Sequence, residues 1–246
     1  MKTLFLDIET SPRLAYVWGH WETNVLDVER EWYILCFAYQ WMDDKKVSAY
    51  SLPDFKETYR KDDTNDRDLC KKLWELLDEA DVVVAHNGSA FDLKKSNARF
   101  LFHGFNPPKP YQEVDTLKVA RKHFAMSSNK LDDLGDYLGV GRKIHTGGVH
   151  LWLDVLRGDK KAWRKMVDYN KQDTALLVSV YYKLRPWMPN HPNANVYNDT
   201  LGNCPICGEP SLTKQGFKMS RTGKKQQYQC QSCGGWSSAP VTGVVR

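Results

Sequence analysis

The residues best suited to catalysis are Asp7 and Glu9, at the end of an apolar run that alternates like a β-strand, LFLDIET over residues 4–10. Side chains two residues apart on a strand point to the same face, so both carboxylates project into one space. Two like charges this close repel each other unless they are solvated, protonated or bridged by a cation. Because oxygen ligands favour Mg2+, Mn2+ or Ca2+, the pair predicts either a metal site or two exposed acids where a strand enters a turn.

A second acidic element, HNGSAFD over residues 86–92, follows the apolar segment Asp81–Ala85. Asn-Gly is a strong turn signal, and the succession of strand, turn and helix places Asp92 near the start of the helix. The same spacing fits a capping box between Ser89 and Asp92, in which the Asp92 carboxylate accepts a hydrogen bond from a free backbone N–H. Taken alone, this segment favours the capping box.

The third element is the pair Tyr169 and Asp173 in the predicted helix Lys160–Leu184. Residues four apart stack on one face of a helix, so the phenol and the carboxylate point the same way. They flank the apolar stripe, at the edge where a helix covers a sheet. A tyrosine at the border of an amphipathic helix and a solvated aspartate would give the same pattern.

In this order, the three elements resemble the motifs of the DEDD superfamily of 3′–5′ exonucleases, which have an RNase H-like fold. The second motif has the form typical of the proofreading domain of family B DNA polymerases, and the tyrosine of the third indicates the DEDDy branch. The resemblance covers residues 1–185, and the segment 129–134 is similar to a Lys-Leu-Asp segment that precedes the third motif. The matching residues are Asp7 and Glu9 in the first motif, Asn87, Phe91 and Asp92 in the second, and Tyr169 and Asp173 in the third.

The resemblance implies two Mg2+ or Mn2+ ions as cofactors. Asp7, Glu9 and Asp173 would hold the ion on the side of the nucleophile, Asp7 would bridge to the second ion, and Asp92 would assist directly or through water. Tyr169, with an ordinary pKa of about 10, is a poor base and is better suited to orienting the attacking water. The substrate-binding residues that we expect around this centre are Asn87, Phe91 and Lys130.

The C-terminal part of the chain contains two Cys-x-x-Cys pairs, Cys204 with Cys207 and Cys230 with Cys233. Two such knuckles around a predicted hairpin of Leu212–Met219 and Lys225–Gln229 resemble a zinc ribbon with one structural Zn2+. Disulfides or a redox motif are weaker explanations in an intracellular protein. The ribbon is expected to bind nucleic acid, or alternatively to dock a protein, and its candidate substrate-binding residues are Lys214, Lys218, Arg221, Lys224 and Lys225.

The distribution of charge supports a polyanionic partner. From Leu201 onward, six basic residues face one acidic residue, which accounts for the whole formal net charge of +5. No apolar run approaches the length that crosses a bilayer, and the N-terminus enters a strand directly, so we expect no membrane association. The cysteine usage predicts a reducing, intracellular and cytoplasmic setting.

Hydrophobic periodicity predicts the elements that position these residues. Strands are expected at Thr3–Ile8, Trp32–Gln40, Val47–Leu52 and Asp81–Ala85, with helices over 66–80, from near Ser89, and over 115–124, 131–138 and 160–184. Strands in hairpin-like succession followed by a strand between helices predict an α/β fold, with an RNase H-like mixed sheet flanked by helices and a small C-terminal zinc-ribbon β module. The predicted domains are an exonuclease domain over residues 1–185, a Pro/Asn-rich linker over 186–200 and the ribbon over 201–246.

Two regions near the acidic elements match none of the three motifs. Tyr16, Trp18, Trp21 and Trp32 crowd the segment after the first motif, where they could stack on bases or, as we favour, pack a hairpin onto the core. The Gly-rich stretch 139–148, with Arg142 and Lys143, is interpreted as a mobile loop rather than a contact to the nucleic-acid backbone.

The leading hypothesis is a metal-dependent 3′–5′ exonuclease that hydrolyses phosphodiester bonds by a two-metal mechanism, with single-stranded DNA favoured over RNA and the ribbon aiding substrate binding. The same core could instead support a structure-specific endonuclease or an RNA 3′-end exonuclease. A non-catalytic nucleic-acid-binding scaffold is the least favoured alternative, because all four acids and the tyrosine are intact.

Overall fold

The structure of the chain is a computed structural model that describes residues 1–21, 24–144, 147–221 and 223–241. Thr222 of the predicted ribbon turn and residues 242–246 of the predicted ribbon lie outside the described residues. The strands are β1 Thr3–Thr10, β2 Leu14–Tyr16, β3 Asp27–Arg30, β4 Ile34–Trp41, β5 Ser48–Ser51, β6 Val82–Ala85, β7 Gln112–Asp115, β8 Leu212–Ser220, β9 Gly223–Cys230 and β10 Trp236–Pro240. The α-helices are α1 Lys56–Lys61, α2 Arg67–Glu79, α3 Asp92–Phe102, α4 Thr116–His123, α5 Leu131–Tyr137, α6 Val149–Leu156, α7 Lys160–Leu184 and α8 Ala194–Asn198.

The main sheet has five strands in the order β5-β4-β1-β6-β7. β1 pairs antiparallel with β4 and parallel with β6, and β6 pairs parallel with β7. A second sheet has the order β10-β9-β8 and carries the cysteine module. The predicted α/β class, with a mixed sheet flanked by helices and a small C-terminal β module, is therefore confirmed.

β1 is the central strand, and its alternation separates two apolar clusters. Leu4 and Leu6 belong to the cluster that contains Leu73 of α2, and all three are fully buried. Phe5, on the opposite face, packs edge-on against Tyr181 of α7 with ring centroids 5.1 Å apart. The odd-numbered side chains of β1 therefore face α7, and this alternation directs Asp7 and Glu9 toward that helix.

Several elements were absent from the sequence prediction. β7 has the sequence Gln-Glu-Val-Asp, in which Val114 is the one apolar residue, so its pattern carries no strand signal. α1 is only six residues long, and Tyr59, which is partly buried against the core, is its one aromatic or apolar residue. α6 was not predicted either. It begins directly after the Gly-rich stretch 139–148, which was interpreted as a loop. The long helix α7, by contrast, has the predicted bounds Lys160–Leu184.

The aromatic residues after β1 do not pack as we expected. β2 and β3 form a separate two-stranded ribbon, and Trp18 and Trp21 beside it are 88% and 87% exposed. Tyr16 is also exposed, whereas Trp32, just before β4, is half-buried. The interpretation that most of these rings pack onto the core is wrong, because Tyr16, Trp18 and Trp21 are largely exposed to solvent.

The segment predicted as a linker has fixed contacts with both of its neighbours. His191 Nε2 lies 2.7 Å from the Tyr181 hydroxyl of α7, and the Ala194 amide donates to the Pro205 carbonyl at 2.7 Å. Ala194 is the first residue of α8, so the second contact joins this helix to the cysteine module. The three-part division of the chain remains a prediction. Across the described residues, none of the helices has both the length and the apolar character needed to cross a bilayer.

A fully buried carboxylate, Asp66, fixes the start of β4 relative to α3. Its two oxygens accept hydrogen bonds from the Ile34 amide at 2.8 Å, from Arg99 Nε at 2.8 Å and Nη2 at 2.5 Å, and from His103 Nε2 at 2.6 Å. The Arg99 side chain is only 11% exposed. Removal of Asp66 would leave an arginine charge without its partner in a poorly solvated position, which is expensive.

We therefore expect Asp66→Ala to lower the free energy of unfolding by about 3–5 kcal/mol, the usual cost of breaking a buried ion pair. Urea denaturation followed by circular dichroism measures this change. Asp154→Ala is the matched control, because Asp154 pairs with Arg157 on the surface, where both side chains are largely exposed. Its effect should stay within about 0.5 kcal/mol, and an equally small effect of Asp66→Ala would contradict the role assigned to Asp66.

Candidate active site

The first part of the site is formed by β1 near its carboxyl end. Asp7 pairs with Ala38 and Glu9 with Cys36 across the antiparallel ladder to β4, and the register shifts between Glu9 and Thr10. Both acidic side chains therefore lie on the face that α7 covers. The strand geometry expected from the sequence brings the two carboxylates together.

The middle of α7 supplies the second part. Asp173 is 1% exposed, and one oxygen of its carboxylate, together with one each from Asp7 and Glu9, forms a group in which all atoms lie within 4.8 Å of one another. Tyr169 is half-buried one turn earlier on the helix. The two predicted motifs on β1 and α7 are thus brought together in space, although 160 residues of chain separate them.

Asn170 holds the Asp7 side chain in place. Its amide nitrogen donates to Asp7 Oδ2 at 2.5 Å and lies 3.2 Å from the Asp7 carbonyl oxygen, and Asn170 itself is fully buried. The sequence reasoning assigned no role to this residue. A signal was present, because Asn170 is four residues after Met166 and four before Thr174, a polar residue in the middle of the buried stripe of the helix.

Asp92, from the second motif, lies beside this group of acids, and it does not take part in a capping box. It is the first residue of α3, Phe91 is the N-cap, and Asp92 Oδ1 accepts a hydrogen bond from the Ile8 amide of β1 at 3.0 Å. The capping-box alternative is therefore wrong, because the carboxylate binds the strand that carries Asp7 and Glu9. This bond holds the buried Asp92 beside the other acids.

Burial and mutual repulsion make full ionisation of this group unfavourable. Burial, followed by the charges of Asp92, Glu9 and Asp173, raises the pKa of Asp7 well above its usual range. Burial raises the pKa of Glu9 to about 8 and that of Asp92 to about 7, and it raises the pKa of Asp173 despite an opposing effect of Lys143. A carboxylate cluster of this kind needs positive charge to be ionised at neutral pH.

Lys143 supplies one such charge and was missed as a site residue. Its ammonium donates to Asp173 Oδ2 at 2.5 Å and lies 3.4 Å from the Tyr169 hydroxyl. Burial would lower the pKa of Lys143, but the Asp173 carboxylate outweighs that effect and raises it. The Lys143 amide donates to Asp132 Oδ1 at 2.7 Å, so the Gly-rich stretch is held at this point rather than being free of contacts.

The carboxylates fit divalent metal ions. Asp173 Oδ1 is buried and has no hydrogen-bond partner among the described residues, although the Asp173 carboxylate belongs to the group formed with Asp7 and Glu9. An unpartnered buried carboxylate oxygen is costly, and coordination to a cation would satisfy it. All the donors are oxygens, the ligand type that Mg2+ and Mn2+ prefer.

The three predicted substrate-binding residues near the second motif and α5 differ in their contacts and their exposure. Asn87 follows β6 in a left-handed conformation, with φ of 66°, and its amide donates to Asp115 Oδ1 at 2.9 Å. Phe91 is 37% exposed, and Lys130, the N-cap of α5, is exposed. His86 Nε2 lies 3.0 Å from the Asn129 carbonyl and so links the second motif to the segment that contains Lys130.

A second candidate metal centre is formed by Cys204, Cys207, Cys230 and Cys233, whose sulfur atoms all lie within 4.8 Å of one another. The Cys204 and Cys233 sulfurs are 3.7 Å apart, and those of Cys207 and Cys230 are 3.6 Å apart. Four sulfurs bound to a tetrahedral zinc at about 2.3 Å lie about 3.8 Å from one another. The observed spacing fits a tetrahedral metal site, and the separations are far longer than the S–S bond of a disulfide.

The basic residues of the module lie on the hairpin of β8 and β9. Lys218 and Lys225 are cross-strand neighbours, and the Lys224 ammonium stands 3.7 Å from the centre of the exposed Phe217 ring. The full predicted set on this hairpin is Lys214, Lys218, Arg221, Lys224 and Lys225. Cations beside an exposed ring are the groups that a single-stranded nucleic acid binds.

Comparison with known families agrees with this geometry. Residues 4–185 match the family RNase_H_2, described as RNase_H superfamily. The chain belongs to the RNase H superfamily. Membership supports nuclease activity in general, nucleic acid as the class of substrate and divalent metal ions as the class of cofactor. The match ends before the four cysteines, which lie outside it.

Among solved structures, the chain is similar to the family B DNA polymerase from the hyperthermophilic archaeon Pyrobaculum calidifontis, with a TM-score of 0.50 and 14% sequence identity. The match covers 89% of this RNase H superfamily chain and 31% of the polymerase chain. At this identity the likeness shows the fold alone. No curated protein sequence matches the chain significantly.

The cysteine geometry predicts that zinc stabilises the C-terminal module. We expect the wild-type protein to contain one zinc per chain by inductively coupled plasma mass spectrometry, and Cys204→Ser to lose it, because three thiolates leave the tetrahedral site incomplete. Ser238→Ala is the control, since Ser238 is exposed on β10 in the same module and belongs to none of the groups of residues that could hold a metal ion among the described residues. Retention of zinc by Cys204→Ser would contradict the four-sulfur assignment.

Proposed function

We propose that this protein is a metal-dependent 3′–5′ exonuclease of the DEDDy type that acts on single-stranded nucleic acid, with DNA favoured over RNA. The observation that carries the proposal is the group formed by Asp7, Glu9 and Asp173, in which one buried Asp173 oxygen has no hydrogen-bond partner among the described residues. Membership of the RNase H superfamily supports the nuclease chemistry. The direction of cleavage is inferred from the resemblance of the three motifs to those of the DEDDy branch.

The proposed catalytic residues are Asp7, Glu9, Asp92, Tyr169 and Asp173. Asp7, Glu9 and Asp173 would hold one metal ion, and Asp7 would share the second with Asp92. Two divalent cations bound there would supply a nucleophile at neutral pH and stabilise the oxygen that leaves phosphorus. The protein would contribute the fixed positions of the ligands, through the Asn170 bond to Asp7 and the Ile8 bond to Asp92.

Tyr169 would orient the attacking water rather than remove its proton. Burial, together with the nearby Asp173 carboxylate, raises the pKa of Tyr169, so the hydroxyl keeps its proton at neutral pH. A protonated phenol can both donate and accept a hydrogen bond, and that suits it to hold a water molecule in line with the phosphorus. The Lys143 ammonium, 3.4 Å away, helps to fix the position of the hydroxyl.

Lys143 would act as a positioning residue for this centre. Its single positive charge lies against Asp173 and Tyr169, the two motif residues of α7. The ammonium would keep Asp173 ionised and ready to bind a cation, since an opposite charge at this distance favours the carboxylate form. The short loop from α5 to Lys143 is in turn held by the Arg142 ion pair with Asp136.

The C-terminal module would aid substrate binding as a zinc ribbon. The zinc would be structural, and the basic hairpin of β8 and β9 would contact the nucleic-acid backbone. Protein docking through the same hairpin is the competing role. The domain boundaries proposed with this function are 1–185, 186–200 and 201–246, in a protein of the reducing cytoplasm.

The decisive experiment offers single-stranded DNA and RNA labelled at either end to the protein with Mg2+, Mn2+ or EDTA. We expect 5′-labelled strands to give a ladder that shortens from the 3′ end with metal and no products in EDTA. Asp7→Asn, which keeps the shape of the side chain but removes its charge, should abolish the ladder. Asp154→Asn on the surface of α6 should leave it unchanged. Internal fragments would favour an endonuclease, and binding without cleavage would favour a scaffold.

Tyr169→Phe tests the water-orienting role. Removal of one hydroxyl that acts in the transition state should lower kcat by about 10²-fold, with little change in KM. The matched control is Tyr137→Phe, because Tyr137 is 75% exposed on α5 and has no place in the proposed chemistry. Single-turnover cleavage of a labelled oligonucleotide measures both variants. If Tyr169→Phe and Tyr137→Phe cleaved at the same rate, the role of the hydroxyl would have to be abandoned.

A further inference from the structure

A half-buried lysine without an acidic partner lies beside the first motif. Lys95 of α3 donates from Nζ to the Thr10 hydroxyl at 3.1 Å, and Thr10 follows Glu9 directly on β1. Among the described residues, no carboxylate lies within ion-pair distance of this ammonium. A cation in such a place is costly unless something compensates its charge.

Two aromatic rings hold the ammonium in position. Lys95 Nζ lies 3.8 Å from the centre of the Trp32 ring and 5.0 Å from that of Phe91. Burial lowers the pKa of Lys95, and the charge of Arg13 adds to that shift. The rings offset part of the lost hydration through cation–π attraction, but they do not supply a negative charge.

The same pattern of rings and cations continues away from the acids. Arg99, one turn after Lys95 on α3, lies 6.0 Å from the Trp32 ring and 4.3 Å from the Phe102 ring. Phe102 is 71% exposed at the end of the helix. Trp32, Arg99 and Phe102 border an open cavity of about 440 Å³, which is also lined by the basic Arg30 and Arg67 and by the acidic Glu31 and Asp62. The side chains of Lys95, Trp32, Arg99 and Phe102 thus follow Phe91 along one surface. This surface begins next to the acidic cluster.

The two cations on this surface differ in their need for a ligand. Arg99 is already neutralised by the buried Asp66, so its contribution is to hold the rings of Trp32 and Phe102 in place. Among the described residues, Lys95 has only the neutral Thr10 hydroxyl and the two rings as direct partners, and the Glu31 carboxylate acts on it from beyond ion-pair distance. An incoming anion would therefore be bound by Lys95, while the exposed Phe102 ring offers a face for a base.

We propose that Lys95, Trp32 and Phe102 form a binding site for the unpaired strand of the substrate, upstream of the bond that is cleaved. Lys95 contacts a phosphate of the strand, and a base stacks on Phe102 at the border of the cavity. Stacking of this kind needs a base free of its complement, so the surface selects single-stranded over double-stranded nucleic acid. The direction of the strand rests on the proposed 3′–5′ exonuclease function, whereas the binding itself does not.

The test measures binding without catalysis. A fluorescein-labelled single-stranded oligonucleotide is titrated with protein without added Mg2+ or Mn2+ and without a chelator, which would also remove zinc from the four cysteines; binding is followed by anisotropy at several salt concentrations. Lys95→Gln should raise Kd about tenfold and reduce the slope of log K against log salt by about 0.7, the value for one lost phosphate contact on a single strand. The control is Lys94→Gln, the adjacent exposed lysine on another side of α3, which should stay within about twofold of wild type. Lys95→Arg should restore most of the affinity.

The aromatic part of the site is tested by its own variant and matched control, Phe102→Ala and Leu101→Ala. Phe102→Ala should raise Kd by about fivefold or more, the lower end of one base-stacking contact. Leu101→Ala removes a neighbouring side chain that is 80% exposed and does not line the cavity, so it should bind like wild type. Circular dichroism and thermal melting of each variant verify that the fold is intact. A duplex of the same sequence should bind more weakly and respond less to Phe102→Ala.

The outcomes separate this site from the proposed function. If Lys95→Gln and Phe102→Ala bind single strands like wild type, the site is wrong, even when wild type gives the 3′-end ladder and Asp7→Asn does not. If both variants lose affinity while their controls do not, the site is supported, even when wild type shows no cleavage in Mg2+ and the exonuclease proposal fails. Equal loss in Lys94→Gln and Lys95→Gln would also overturn it, since that indicates a general charge effect.

Discussion

The repulsion among buried carboxylates is the constraint on which the rest of this structure depends. Asp7, Glu9 and Asp173 offer oxygens within 4.8 Å of one another, and Asp92 is held against the same strand by the Ile8 amide. Such an arrangement opposes folding unless the surrounding contacts enforce it. Here the enforcement comes from packing: the Phe5 and Tyr181 rings, buried on the same face of β1, hold α7 against the central strand. The energy of the apolar core thus keeps the acids together before any cation binds.

The chain compensates buried charge in more than one way. At Asp66 the negative charge is compensated by groups of the chain itself, because Arg99, His103 and the Ile34 amide hydrogen-bond both carboxylate oxygens. At the four cysteines the geometry matches a single tetrahedral ion, with sulfur separations of 3.6 and 3.7 Å. At the acidic cluster the chain compensates the negative charge only in part, because Lys143 binds one Asp173 oxygen while the other has no partner among the described residues. Incomplete compensation is what distinguishes a ligand-binding centre from a structural ion pair.

How much of this could be predicted from sequence depends on the range of the interaction. The alternation of β1 and the 3.6-residue stripe of α7 are local patterns, and they placed Asp7, Glu9, Tyr169 and Asp173 on the correct faces. The pairing of Asn170 with Asp7 connects residues 163 positions apart, and only a buried polar residue in an apolar stripe indicated it. The contacts of Lys143 and Lys95 had still weaker signals, because a lysine in a Gly-rich loop or on a helix is usually solvated. The sequence did not predict β7 for a different reason: an edge strand with one apolar residue shows no hydrophobic periodicity.

The charges of Lys143 and Lys95 also limit what the site can bind. One ammonium against four carboxylates leaves the cluster with an excess of negative charge if all are ionised, and a phosphodiester would then be repelled from the centre. Two divalent cations would reverse that sign and, with Lys143, make the same place attractive to phosphate. Lys95 needs no such reversal, because no carboxylate among the described residues lies within ion-pair distance of its ammonium, which attracts phosphate whether or not the cations are bound. Strand binding along the Lys95 surface should therefore be independent of metal, whereas entry of the scissile phosphate into the acidic cluster should require it.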